Sequence, residues 1–224
     1  MSTRHRTLSV TEQEDEVKLK NVFRQAWSSA KTARGEAAQT AQAFLRKARS
    51  KLADYFMNRM IDAARARIHA EVAGDAGAAE QAQAKLTAEL RDLYNLFAFD
   101  LQPGMGPGKE AQLREQFSET LKAHRSTQRY GSEEDKEARE EEFESAKEEL
   151  LEYLQHARTG TNNLVQYFGH KNRLYLQQAA RSHLIILANA IDDLEERNTV
   201  TKAASEPAFL AQASTAMLRQ DTQH

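Results

Sequence analysis

Apolar residues recur every three or four positions along almost the whole chain, and no stretch shows strict alternation. That period predicts α-helices throughout and no strands, so the expected fold class is all-α. Glycine and proline mark the predicted breaks: Gly35, Gly74 with Gly77, the loop 103–108, Gly131, Gly160, and Pro207. They divide the chain into predicted helices over about 11–34, 36–73, 78–101, 109–130, 133–158 and 161–197. A short last helix is expected to open at Ser205 and Pro207 and to carry Phe209, Leu210, Ala213 and Met217. Ser132 is the expected cap of the fifth helix, with Asp135 three residues on as the acidic member of a capping box.

Composition adds a constraint on assembly. Much of the 40% hydrophobic content is alanine, and Leu, Ile, Val and Phe make up only roughly a fifth of the chain, near the floor for a self-sufficient core. Charged residues stand at 29% against three prolines and nine glycines. Long amphipathic helices with this balance expose much surface and call for a partner, so an oligomer is expected. The net charge of −2 argues against nucleic acid as a partner. Charge is nonetheless uneven: residues 1–73 carry a cationic excess and 131–158 an acidic one. One reading has the two segments neutralise each other or face solvent. The other makes the molecule polarised, with a basic working face.

Several chemistries lack their residues. With no cysteine there is no disulfide, thiolate metal site or cysteine nucleophile. The first ten residues lack the apolar core of a signal peptide, and no run of about 18 apolar residues spans a membrane, so a cytoplasmic protein, at most peripheral on a membrane, is expected. The histidines fall in no His-Glu-x-x-His pattern, and none has a glutamate three residues before it. The glycines of 104–108 follow no predicted strand and fit a helix break better than a phosphate cradle. Asp192, Asp193, Glu195 and Glu196 have the spacing of the Mg²⁺-binding motif of helical prenyl-transferring enzymes, but a facing second carboxylate cluster is missing. No enzyme, cofactor or metal is expected.

Residues 17–34 form the most distinctive segment. At 100° per residue Leu19, Val22, Phe23, Ala26, Trp27, Ala30 and Ala33 share a face, while Lys20, Arg24 and Lys31 lie round the other side. The segment holds five basic residues, no acidic one, and the chain's only tryptophan. Such a helix suits the headgroup plane of an anionic membrane, with Leu19, Val22, Phe23 and Trp27 as wedge residues and Lys20, Arg24 and Lys31 as lipid contacts. It equally suits packing against the protein's own core.

A family resemblance bears on the choice. The run 137–150, EAREEEFESAKEEL, resembles the start of the last helix of BAR domains, the banana-shaped membrane-curvature modules. Residues 172–197, beginning NRLYLQQAA and ending DLEER, look like the distal part of that same helix. Residues 121–130 sit where the family ends its second helix at a basic tip, and the break near Pro103 is similar to that helix's kink. The resemblance implies an elongated antiparallel bundle of long kinked helices, a crescent-shaped homodimer that senses or shapes membrane curvature. It adds Lys122, Arg125, Arg129, Lys136 and Arg139 to the lipid contacts.

The domain organisation expected is an N-terminal amphipathic segment over 1–35, a long-helix body over 36–198 and a tail over 199–224. The competing function, from a different class, is a helical protein–protein scaffold or adaptor with no lipid role, in which 17–34 is an internal helix.

Overall fold

The computed structural model describes residues 10–105, 107–199 and 206–221, and every regular element among them is an α-helix. They are α1 (Val10–Thr32), α2 (Glu36–Val72), α3 (Ala76–Phe99), α4 (Pro107–Tyr130), α5 (Glu133–His170), α6 (Leu174–Arg197) and α7 (Glu206–Asp221). Ser205, the expected opening of the last helix, lies outside the described residues. Four predicted breaks hold. At Gly35, φ is 60° and ψ −139°, a conformation that glycine alone adopts without strain. Asp75 accepts a hydrogen bond from the Ala78 N–H to start α3, and the Ser132–Asp135 capping box starts α5.

The break predicted at Gly160 is absent. Helix α5 runs straight through it, because Gly160 is a contact point. A Cβ there would fall well inside contact distance of the Ala98 backbone, so glycine lets α5 cross the last turn of α3. Phe99 stacks on Tyr153 at 4.8 Å on one side of the crossing, and Phe97 meets Tyr167 at 5.3 Å on the other. The chain reverses instead at 171–173, where Asn172 takes the left-handed conformation with φ 55°. Helix α6 then folds back on α5. The single long helix that the resemblance implied over 137–197 is therefore two antiparallel helices.

Packing follows from these turns. Helices α1 and α2 form one hairpin, α2 and α3 a second, and α4 and α5 a third, each closed by a short connection. Contacts of Glu16 with Arg59 and of Phe23 with Arg49 put α1 antiparallel to α2. Lys20 reaches Asp92 and Trp27 reaches Asp100, so α1 runs parallel to α3 at an almost constant offset. Helix α7 lies across α2, α3 and α6, and Phe209, Leu210, Ala213 and Met217 are buried there as expected. One continuous apolar core takes in Phe23 of α1, Phe56 of α2, Leu90 of α3, Phe117 of α4, Leu164 of α5, Leu187 of α6 and Met217 of α7. The N-terminal segment and the tail thus contribute side chains to the same core as the body.

Candidate functional site

Helix α1 shows how the candidate residues are placed. Its apolar face was read correctly, but protein covers it. Phe23 is 0% exposed and Ala26 is fully buried, while Leu19, Trp27 and Ala30 are partly buried against the core. Only Val22, at 39%, remains on the surface. Burying Phe23 is worth about 2–3 kcal/mol that an inserted helix would have to recover from lipid. Of the expected wedge residues, Leu19, Phe23 and Trp27 thus have their side chains against the protein's own core in this structure.

Polar contacts lock the same helix. The Trp27 indole N–H donates to Asp100 Oδ2 at 3.0 Å, and Arg49, whose guanidinium lies over the Phe23 ring, ion-pairs with the same carboxylate. Lys20 Nζ sits 2.8 Å from Glu16 Oε1 and 3.2 Å from Asp92 Oδ2. Burial works to lower the Lys20 pKa, but Glu16 and Asp92 outweigh it and hold the ammonium above its ordinary value. A level further along, Arg59 Nε donates to Glu89 Oε1 at 2.5 Å and its Nη1 to the Tyr55 hydroxyl at 2.9 Å. Burial pushes the Glu89 carboxyl up, and Arg59 holds it back. Lys20, one of the expected lipid contacts, is thus engaged in ion pairs with Glu16 and Asp92 in this structure.

The remaining expected lipid contacts separate into two groups. Lys136 pairs with Glu133 at 2.7 Å and Arg139 pairs with Glu142, so each has a carboxylate one turn away on α5. Arg24 and Lys31 on α1 and Lys122, Arg125 and Arg129 on α4 are exposed, and none enters an ion pair among the described residues. Lys31 lies over the Trp27 ring at 5.0 Å. The i, i+3, i+7 spacing of Lys122, Arg125 and Arg129 puts them on one flank of α4, which ends in Tyr130, 86% exposed.

The charge separation read from the sequence survives folding. Over 17–53 the only acidic residue is Glu36, set against Lys18, Lys20, Arg24, Lys31, Arg34, Arg46, Lys47, Arg49 and Lys51. Over 133–152 glutamates dominate, and Glu137, Glu141 and Glu148 lie exposed on one face of α5. Among the described residues no ion pair joins these two regions. The acidic half of α5 packs on α4, whereas α1 packs on α2, and α2 packs in turn on α3 and α7. Among the described residues, mutual neutralisation of the halves, part of one of the two readings above, is made by no ion pair.

Other candidates resolve simply. Asp192 and Glu195 line an open groove between α5 and α6 of about 560 Å³, opposite Gln155, Arg158, Thr159 and Asn162, with no carboxylate cluster facing them. Among the described residues no group of three or more His, Asp or Glu is placed to hold a metal ion, and no helix is long and apolar enough to cross a membrane. His183 went unremarked in the sequence. It is 1% exposed, stacks on Phe209 of α7 at 4.7 Å, meets the Tyr94 ring at 6.0 Å, and leaves its Nε2 without a hydrogen-bond partner. Burial pushes its pKa down to about 4. No family model, curated protein or solved structure matches the chain.

Proposed function

We propose that this protein is a non-catalytic helical scaffold that associates with other macromolecules through surfaces of opposite charge. The observation that carries the reading is that the basic stretch of α1 and α2 and the acidic half of α5 find no neutralising partner in each other. Charged faces of this kind steer association and set partner choice, and they need no pocket. The docked state of α1 supports the scaffold over an inserting wedge, because Phe23 and Trp27 already have apolar and hydrogen-bonding partners.

A membrane-surface role keeps one supporting observation, the exposed cationic flank of Lys122, Arg125 and Arg129 beside Tyr130 at the α4–α5 turn. In that reading the basic side chains would each contribute roughly 1 kcal/mol near an anionic leaflet, without insertion of α1. Liposome co-sedimentation separates the two. The scaffold reading expects the protein in the supernatant over anionic and neutral vesicles at physiological salt. Salt-reversible pelleting that is lost in Lys122→Glu/Arg125→Glu/Arg129→Glu would establish the membrane reading in its place.

A further inference from the structure

The outward face of α2 carries Phe44, Lys47 and Lys51 at i, i+3 and i+7. Both lysines are exposed and neither enters an ion pair among the described residues; Phe44, 47% exposed, is a large ring left in water beside them. The outward face of α5 carries Glu137, Glu141, Glu144 and Glu148 at i, i+4, i+7 and i+11. Glu144 has only a 4.0 Å contact with Lys147, and the other three enter no ion pair among the described residues. Both stripes sit on regular helix, so charges step along each at about 5.4 Å per turn. Two helices laid side by side could bring one row against the other.

We propose that the acidic stripe of α5 in one copy of this chain docks on the Phe44–Lys47–Lys51 face of α2 in a second copy. The inference rests on the scaffold reading and names its first partner. Charge complementarity selects that occupant: an anionic bilayer or a nucleic acid would attract α2 but repel the glutamate stripe of the same molecule, whereas a second copy satisfies both. A net charge of only −2 places no strong overall repulsion between copies, so local complementarity governs the encounter. Phe44 supplies the apolar centre that exposed ion pairs lack. The two faces belong to different elements, so the contact is made either twice around a two-fold axis or head to tail.

Sedimentation velocity at about 50 mM and about 500 mM NaCl tests the proposal, because screening shortens the reach of exposed charges severalfold over that range. The wild-type chain is expected to sediment above one chain's mass at low salt, with association weakened about tenfold or more at high salt. Lys47→Glu/Lys51→Glu and Glu137→Lys/Glu141→Lys should each sediment as single chains. Mixed in equal amounts they should associate again, since each then offers the charge the other has lost. These positions are exposed, and circular dichroism checks that the variants keep the wild-type helicity. Recovery on mixing is a result that a merely destabilised variant cannot give. A wild-type chain that stays single at low salt would overturn the proposal, as would association indifferent to either charge reversal. A single chain that pellets with anionic vesicles would fail the scaffold reading too, and loss of that pelleting in Lys47→Glu/Lys51→Glu would reassign the α2 face to membrane. A single chain that ignores vesicles would sink only the self-pairing.

Discussion

His183 gives the fold a calculable weakness in acid. The ring is buried between Phe209 and Tyr94, and its Nε2 has no hydrogen-bond partner among the described residues, so burial disfavours the charged form. Burial lowers its pKa from 6.5 to about 4. Between those values the unfolded chain binds a proton that the folded chain refuses, so stability falls as pH falls. The contribution is intact above pH 6.5. Linkage makes the loss about 2 kcal/mol by pH 5 and about 3 kcal/mol by pH 4. Urea unfolding at pH 7.5, 5.0 and 4.5 measures it, with His183→Leu as the control that removes the proton site. Leucine keeps an apolar side chain there and removes the orphaned nitrogen, so stability at pH 7.5 should change by less than about 1.5 kcal/mol. Carboxylates titrate in the same range, so the decisive quantity is the difference between the two pH slopes. The variant should lose about 2 kcal/mol less than wild type between pH 7.5 and 5. Equal slopes would refute the reasoning, and so would an NMR titration placing the His183 pKa near 6.5.

Gly160→Ala should destabilise the protein by about 2–3 kcal/mol, because its new methyl meets the Ala98 backbone. Gly169→Ala, where the neighbour is the movable end of Gln177, should cost far less; thermal denaturation of the pair measures the contrast. Arg59→Met should cost about 3 kcal/mol by stranding Glu89, 8% exposed in its side chain, without its cation. Adding Glu89→Leu should recover most of that loss in chemical denaturation, since the pair is then replaced by apolar groups. Phe23→Ala should cost about 3 kcal/mol or more, read as a lower urea midpoint, because it opens a fully buried site between α1 and α2.

What the sequence revealed depended on whether the deciding physics was local. The Gly35 and Gly74 turns and the Ser132 cap are local events, and each was legible. Gly160 was misread because a glycine that ends a helix and one that admits a neighbouring backbone look alike in one dimension. The distinguishing signal is its place on the apolar stripe: Ala157, Gly160, Thr161 and Leu164 are all buried on one face of α5. The real reversal at 171–173 has no proline and no glycine of its own, only Asn172, a residue that tolerates the left-handed region.

The candidate site divides the same way. Periodicity identified the buried face of α1 almost residue for residue, with Val22 as the exception. It could not say what covers that face, because Asp92, Asp100, Glu89 and Arg59 lie far away in sequence. A basic amphipathic helix with a tryptophan carries the same composition whether its cations meet lipid phosphates or carboxylates of α3. The charge asymmetry was visible in the sequence, but its failure to cancel within the chain became visible only once the helices were placed.

The central claim is that α1 is a docked structural helix and that the protein works through its charged outer faces. Trp27 is the only tryptophan, so its fluorescence reports on α1 alone. The measurement to make is Trp27 emission on addition of anionic vesicles carrying brominated acyl chains, which quench a ring that enters the bilayer. The account predicts emission unchanged in wavelength and intensity, because Trp27 stays bonded to Asp100. A blue shift with quenching by the brominated chains would place the ring in lipid and contradict it.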